Sequence, residues 1–292
     1  MVRELAQLNT GYYQTVVDIP KQLGDIKKIK REDSLFISGG TLLQLNWEAG
    51  VDRPSHLISM EMIKELHGIQ IVSIDQKEFL EIGAATTLAD CCEHKNILKY
   101  APILADACKK IAAPAVRNRG TIGGNIAGKV GDSIPVLFVL EAKLRVYDGE
   151  RERVIPIQEW LKTAIQQNFL YIITTILIPI KEKEKGNYFF QKVGRRESFT
   201  AAIISIAGFL KTVDKKVTIA RFAIGGGAHL PQRLIEAEEI LVDNSCDLLA
   251  FYKAVETSFA TYSDAFVTEK YRKKVAANIL FTKCQEIMEK SE

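Results

Sequence analysis

The chain has 292 residues, 47% hydrophobic and 26% charged, a composition that fits a globular protein and excludes wholesale disorder. Lys and Arg number 39 against 36 Asp and Glu, a formal charge of +3, too balanced to call for a nucleic-acid partner or an anionic lipid surface. The apolar runs 171–180 and 201–210 stop at Lys181 and Lys211, short of the roughly 20 residues that span a bilayer. The first 15 residues alternate polar and apolar without a signal-peptide core, so no membrane insertion and a cytoplasmic location are expected.

A prior of roughly 150 residues per domain gives two domains or three small ones. In chain order, residues 20–29 start at a proline and place Leu23, Ile26 and Ile29 on one helical face. Residues 35–38 form a short apolar strand entering Gly39-Gly40, and Thr41 opens a helix through Trp47 that closes at Gly50. With a strand at 56–59, this predicts a small parallel unit. Strands at 70–74 and 79–82 flank a polar turn at 75–78, and helices follow at 87–93 and 96–111. Residues 121–127 are glycine-rich and irregular, 132–142 are helical behind Asp132, and β-branched strands are expected at 143–147 and 170–178. The charged stretch 181–186 marks a boundary, or else a long hairpin loop. Beyond it, three strand-like runs (188–193, 201–213 and 217–224) predict an antiparallel meander, followed by helices at 234–242, 248–261 and 272–288.

Side-chain chemistry is sparse. The cysteines, Cys91, Cys92, Cys108, Cys246 and Cys284, form no C-x-x-C pair or cluster run and read as buried thiols. His56, His67, His94 and His229 are scattered and offer no zinc spacing, and no G-x-S-x-G elbow marks a nucleophile. If the protein acts in an enzyme, a cofactor carries the chemistry.

Two glycine turns remain. Ser38-Gly39-Gly40-Thr41 lies between strand and helix, where free N–H groups suit a phosphate, though such a turn also occurs without a ligand. Arg117-Asn118-Arg119-Gly120-Thr121-Ile122-Gly123-Gly124-Asn125 offers three glycines flanked by hydrogen-bonding side chains, in the manner of a backbone nest. Neither matches a Walker or a G-x-G-x-x-G pattern. Two such turns could grip one dinucleotide pyrophosphate from both sides. Asp132 reads as an N-cap whose second oxygen could meet a cofactor hydroxyl. Arg117, Arg119, Arg195 and Arg196 are open between surface and interface.

These segments, with Lys192-Val193-Gly194-Arg195-Arg196 in register, resemble the FAD-binding medium subunit of the xanthine dehydrogenase (molybdenum hydroxylase) family, which includes carbon monoxide dehydrogenase flavoproteins. The resemblance implies an α+β chain: a two-subdomain FAD-binding (PCMH-type) fold, then a C-terminal domain with a three-stranded antiparallel sheet and a helical bundle. The corresponding divisions are residues 1–60, 61–180 and 186–292. It implies FAD contacts at Phe36, Ile37, Ser38, Gly39, Gly40, Thr41, Leu42, Leu43, Ile111, Thr121, Ile122, Gly123, Gly124, Asn125, Asp132, Ile173 and Lys192, with no catalytic side chain and no metal of the chain's own. Two departures stand out: Leu42 where many relatives carry Asp, and a shortened stretch between Asn125 and Asp132.

The function so implied is that of the FAD subunit of a heteromeric molybdenum hydroxylase, with xanthine dehydrogenase as the leading reading. A large molybdopterin subunit would oxidise substrate, a small [2Fe–2S] subunit would relay electrons, and FAD would deliver them to NAD⁺ or another acceptor. The rivals are an FAD subunit for carbon monoxide or another aldehyde or heterocycle, and a non-catalytic assembly module with the same fold.

Overall fold

The computed structural model describes residues 15–163, 171–181, 184–195, 201–214, 216–242 and 247–290; Leu170, Arg196 and Cys246 lie outside them. Three sheets succeed one another along the chain. The first holds β1 (Val16–Asp18), β2 (Ser34–Ile37) and β3 (His56–Ser59) in the order β1-β3-β2, all parallel, with the Thr41–Glu48 helix crossing from β2 to β3. The helix expected over 20–29 is only a 3₁₀ turn, Leu23–Asp25, and a single α-turn, Ile26–Ile29. Gly24 weakens its centre, and of the expected apolar face Leu23, Ile26 and Ile29, only Ile26 is fully buried. His56, fully buried in β3, meets Ser34 Oγ through Nδ1 (2.6 Å) and Asp18 Oδ2 through Nε2 (2.9 Å), so one imidazole ties all three strands. This serine–histidine–aspartate row lines neither of the cavities described below, and its evident task is strand registry.

The second sheet is antiparallel: β4 (Ile69–Ile74), β5 (Lys77–Gly83), β6 (Lys143–Tyr147), β7 (Glu152–Pro156) and β8 (Ile172–Pro179), in the order β4-β5-β8-β6-β7. Asp75 and Gln76 both have positive φ (49° and 61°), the two-residue hairpin turn that matches strand twist. The single helix expected over 96–111 is two, Lys95–Tyr100 and Pro102–Lys109, because a proline excludes the helical conformation from the residue before it, here Ala101. β7 was not foreseen, since four of its five residues are exposed and carry no apolar pattern.

The third sheet comprises β9 (Asn187–Gly194), β10 (Ala202–Val213), β11 (Lys216–Gly225) and β12 (Gln232–Arg233), antiparallel in the order β12-β11-β10-β9. It is therefore four-stranded rather than three-stranded; a two-residue strand shows no periodicity from which it could be read. Helices Ile235–Val242, Leu248–Ser258 and Glu269–Glu289 follow, and Phe222, Leu234, Phe251, Phe259 and Leu280 fill the core between sheet and helices. The 181–186 stretch joins two different sheets and is not a hairpin loop.

The second and third sheets share buried core through the Ser133–Val139 helix, every residue of which is buried. It packs against the Pro102–Lys109 helix and against β10 and β11, which explains an apolar run with no polar face. Beside this core, the Arg221 guanidinium bonds Glu141 and Glu184 (both 2.6 Å), lies 4.4 Å over the Phe209 ring, and meets a network that includes Lys181.

The His229 ring packs edge-on against Phe259 and Tyr262, and burial together with Arg272 pushes it down to about 4 from an ordinary 6.5. The unfolded chain takes up this proton first as pH falls, so stability is lost between pH 6.5 and 4, by about 3 kcal/mol in all. Urea unfolding at pH 7 and pH 4.5 should show that decline, and His229→Phe should flatten it.

Candidate functional site

The first bend leaves β2 at Ile37, whose carbonyl accepts the Met60 N–H at 2.7 Å, and turns through Ser38, Gly39 and Gly40. Gly40 is the N-cap of the Thr41–Glu48 helix with φ 72°, a left-handed conformation that glycine adopts freely. No side chain caps this helix, and its first turn holds no acidic residue. The helical ladder begins with the Gln44 N–H on the Gly40 carbonyl (2.9 Å), so the amides of Thr41, Leu42 and Leu43 precede it as open donors at a positive helix end.

The second bend differs from expectation. Ile122–Ala127 is a helix, capped by Thr121 Oγ1, which accepts the Gly124 N–H at 3.1 Å. The N–H groups of Ile122, Gly123 and Asn125 donate to Thr86, Ala84 and Thr121 carbonyls, each at 2.9 Å. All four amides are engaged within the protein, so this bend is not a nest of free donors. It contributes instead the bare face of Gly124, the Thr121 hydroxyl and the Asn125 NH₂, since Asn125 Oδ1 accepts from Ser133 N (3.3 Å) and Oγ (2.6 Å). A Cβ on Gly124 would meet only Thr121 Oγ1, at 3.0 Å. The bends touch at one end, where a Cβ on Gly39 would overlap the Arg119 carbonyl.

From that contact the walls diverge into a groove of about 370 Å³, lined by Leu35, Phe36, Ser38 to Leu43, Ile111, Val116, Thr121, Gly124 and Asn125, among others. A second cavity of about 150 Å³ adjoins it, bounded by Met60, Leu66, Gly123, Trp160, Tyr171 and Ile173, and both share Phe36, Ser38, Thr121, Gly124 and Ala127. Four expected contacts line neither: Ile37, Ile122, Asp132 and Lys192. Ile122 is fully buried in the core, and Ile37 ends β2 with its side chain beneath Gly40. Sequence reasoning missed the smaller cavity's apolar lining, because Met60, Leu66, Trp160 and Tyr171 sit in no motif and meet only in space.

Asp132 does not cap the following helix; its own backbone is helical, and the Ser133 N–H goes to Asn125. Its carboxylate pairs instead with Lys192 Nζ at 2.8 Å, both side chains 11% exposed, and Lys192 also donates to the Lys110 carbonyl at 2.9 Å. The pair thus joins β9 to the chain just after the second bend. Lys192→Met should cost about 3 kcal/mol in urea unfolding by stranding the carboxylate, and Lys192→Met/Asp132→Leu should recover much of it. Arg117, left open above, donates to the Ile111 (3.0 Å) and Ala112 (2.6 Å) carbonyls, holding a groove-lining loop in which Ala112 has φ 46°.

An uncapped helix start and a bare glycine lining one groove, with a smaller apolar cavity adjoining it, suit a ligand that joins an anionic part to a flat one; the fold and site define a nucleotide-cofactor-binding protein. Residues 12–181 match the family model described as FAD binding domain in molybdopterin dehydrogenase, and residues 188–287 match the CO dehydrogenase flavoprotein C-terminal domain. The chain belongs to this family of FAD-binding molybdenum hydroxylase subunits. It is 31% identical to the 6-hydroxypseudooxynicotine dehydrogenase complex subunit alpha of Paenarthrobacter nicotinovorans, over 73% of this chain and 72% of that one. It is 29% identical to the carbon monoxide dehydrogenase medium chain of Afipia carboxidovorans (89% and 92% covered) and 26% identical to the xanthine dehydrogenase FAD-binding subunit of Escherichia coli O157:H7 (77% and 76%). A solved structure of reconstituted CO dehydrogenase from Oligotropha carboxidovorans superposes with a TM-score of 0.83 at 25% identity, covering 94% of this chain and 98% of that one. The open helix amides and the uncovered Gly124 face fit the diphosphate of FAD. Among the described residues, no helix is long and apolar enough to cross a membrane.

Proposed function

We propose that the groove holds the FAD diphosphate at the start of the Thr41–Glu48 helix, and that the chain is the electron-relaying subunit of a heteromeric molybdenum hydroxylase acting on xanthine. The observation that carries the binding mode is the uncapped helix start opposite Gly124. Main-chain amides of 39–43 meet the phosphates, the Thr121 hydroxyl and Asn125 NH₂ add side-chain donors, and Ile111 and Ile173 wall the flat ends. Ile37 and Ile122 support the two bends from below, while Asp132 and Lys192 hold the C-terminal sheet beside them. When bound, FAD supplies the redox chemistry; the protein binds, orients and shields it. The same reading divides the chain at about residue 60 and within 181–186, and gives it a large molybdopterin partner, a small [2Fe–2S] partner and NAD⁺ or another electron acceptor.

Substrate identity rests on whole-chain resemblance. Carbon monoxide is the second reading, favoured by the 92% coverage of a CO dehydrogenase medium chain. Titrating the FAD-free chain with FAD should give 1:1 uptake; a colourless chain that takes up none contradicts the binding mode. Assaying the assembled complex with xanthine, hypoxanthine, nicotine and carbon monoxide then decides the substrate, and turnover of xanthine at background level rejects the xanthine reading.

A further inference from the structure

We infer that Leu42 is a latch over the cofactor groove and that Gly128 is the seat it closes on. Leu42 is the second residue of the Thr41–Glu48 helix; it lines the groove and is 41% exposed. Gly128 ends the Ile122–Ala127 helix on the opposite wall and lines the same groove. A Cβ built on Gly128 lies 2.7 Å from Leu42 Cδ1, while the next atoms, the Asn125 and Gly124 carbonyl oxygens, stand at 3.6 Å. The leucine tip therefore rests where residue 128 has no side chain, spanning the groove from one bend to the other.

The wall-to-wall contacts at Gly39 and at Gly128 differ in kind. Gly39 on Arg119 joins backbone to backbone and cannot open without moving a bend. Leu42 on Gly128 is the end of a side chain that swings by rotamer change. A dinucleotide reaching the helix start displaces this tip on entry, and the returning tip buries apolar surface over it. A latch of this kind slows both entry and exit. The inference rests on FAD being the ligand.

Stopped-flow fluorescence of FAD with the full chain tests it. Leu42→Ala should speed FAD dissociation by about tenfold, with faster association as well, so that affinity changes less than either rate. Gly128→Ala should reproduce the faster release, because its Cβ displaces only a flexible tip, and the double variant should be no faster than Leu42→Ala alone. FAD-free melting temperatures should stay within a few degrees, which a merely structural contact would not require. Wild-type release rates in Leu42→Ala, or additive effects in the double variant, overturn the latch while FAD binding stands. A wild-type chain that binds no FAD overturns the cofactor reading and the latch together.

Discussion

Gly124→Val is expected to abolish FAD binding while leaving the fold in place. Gly124 sits inside a short helix without positive φ, so a side chain is conformationally acceptable there, and valine is no worse a helix former than glycine. Its Cβ meets Thr121 Oγ1 at 3.0 Å, a hydroxyl that has to give by a few tenths of an ångström, and Gly124 lines both cavities, so added bulk there takes up their shared space. Affinity should fall by about a hundredfold or more, the equivalent of roughly 2.7 kcal/mol. The melting temperature of the FAD-free protein should be nearly unchanged. Stoichiometric flavin retained by this variant would place the diphosphate elsewhere.

Gly39→Ala should fail differently, losing stability and binding together. The added methyl overlaps the Arg119 carbonyl oxygen and carbon, and the Gly120 nitrogen lies at 3.1 Å. Both sides of this contact are backbone, so no rotamer relieves it, and one bend has to move. Overpacking of this kind costs about 3 kcal/mol. Urea unfolding should show the loss in the FAD-free chain, and titration should show weakened FAD uptake. Wild-type stability in Gly39→Ala would mean that the bends do not touch in solution. The contrast between the two glycines separates a ligand-facing position from a packing one.

The first bend was legible because every local signal agreed: an apolar strand, Gly39-Gly40, then a helical stretch from Thr41. The second was misread for a physical reason. Three glycines in five residues suggest free backbone, yet Thr121 caps a helix there, and Gly123 is small because Ala84 packs on it. Asp132 illustrates the limit of local rules. Its cap function passes to Asn125, seven residues earlier, and its true partner, Lys192, is sixty residues away. The break at Pro102 follows from a local rule and was readable. The exposed β7 and the two-residue β12 left no pattern to read, and the cavity between Met60, Trp160 and Tyr171 exists only once three segments meet.

In the proposed binding mode, amides of the first bend, and not those of the second, grip the diphosphate. Hydrogen–deuterium exchange of the chain with and without saturating FAD tests it most directly. Exchange should slow strongly at residues 39–43, whose amides are open, and change little at 122–125, whose amides are already bonded. FAD bound at full occupancy with unaltered exchange at 39–43 would contradict it.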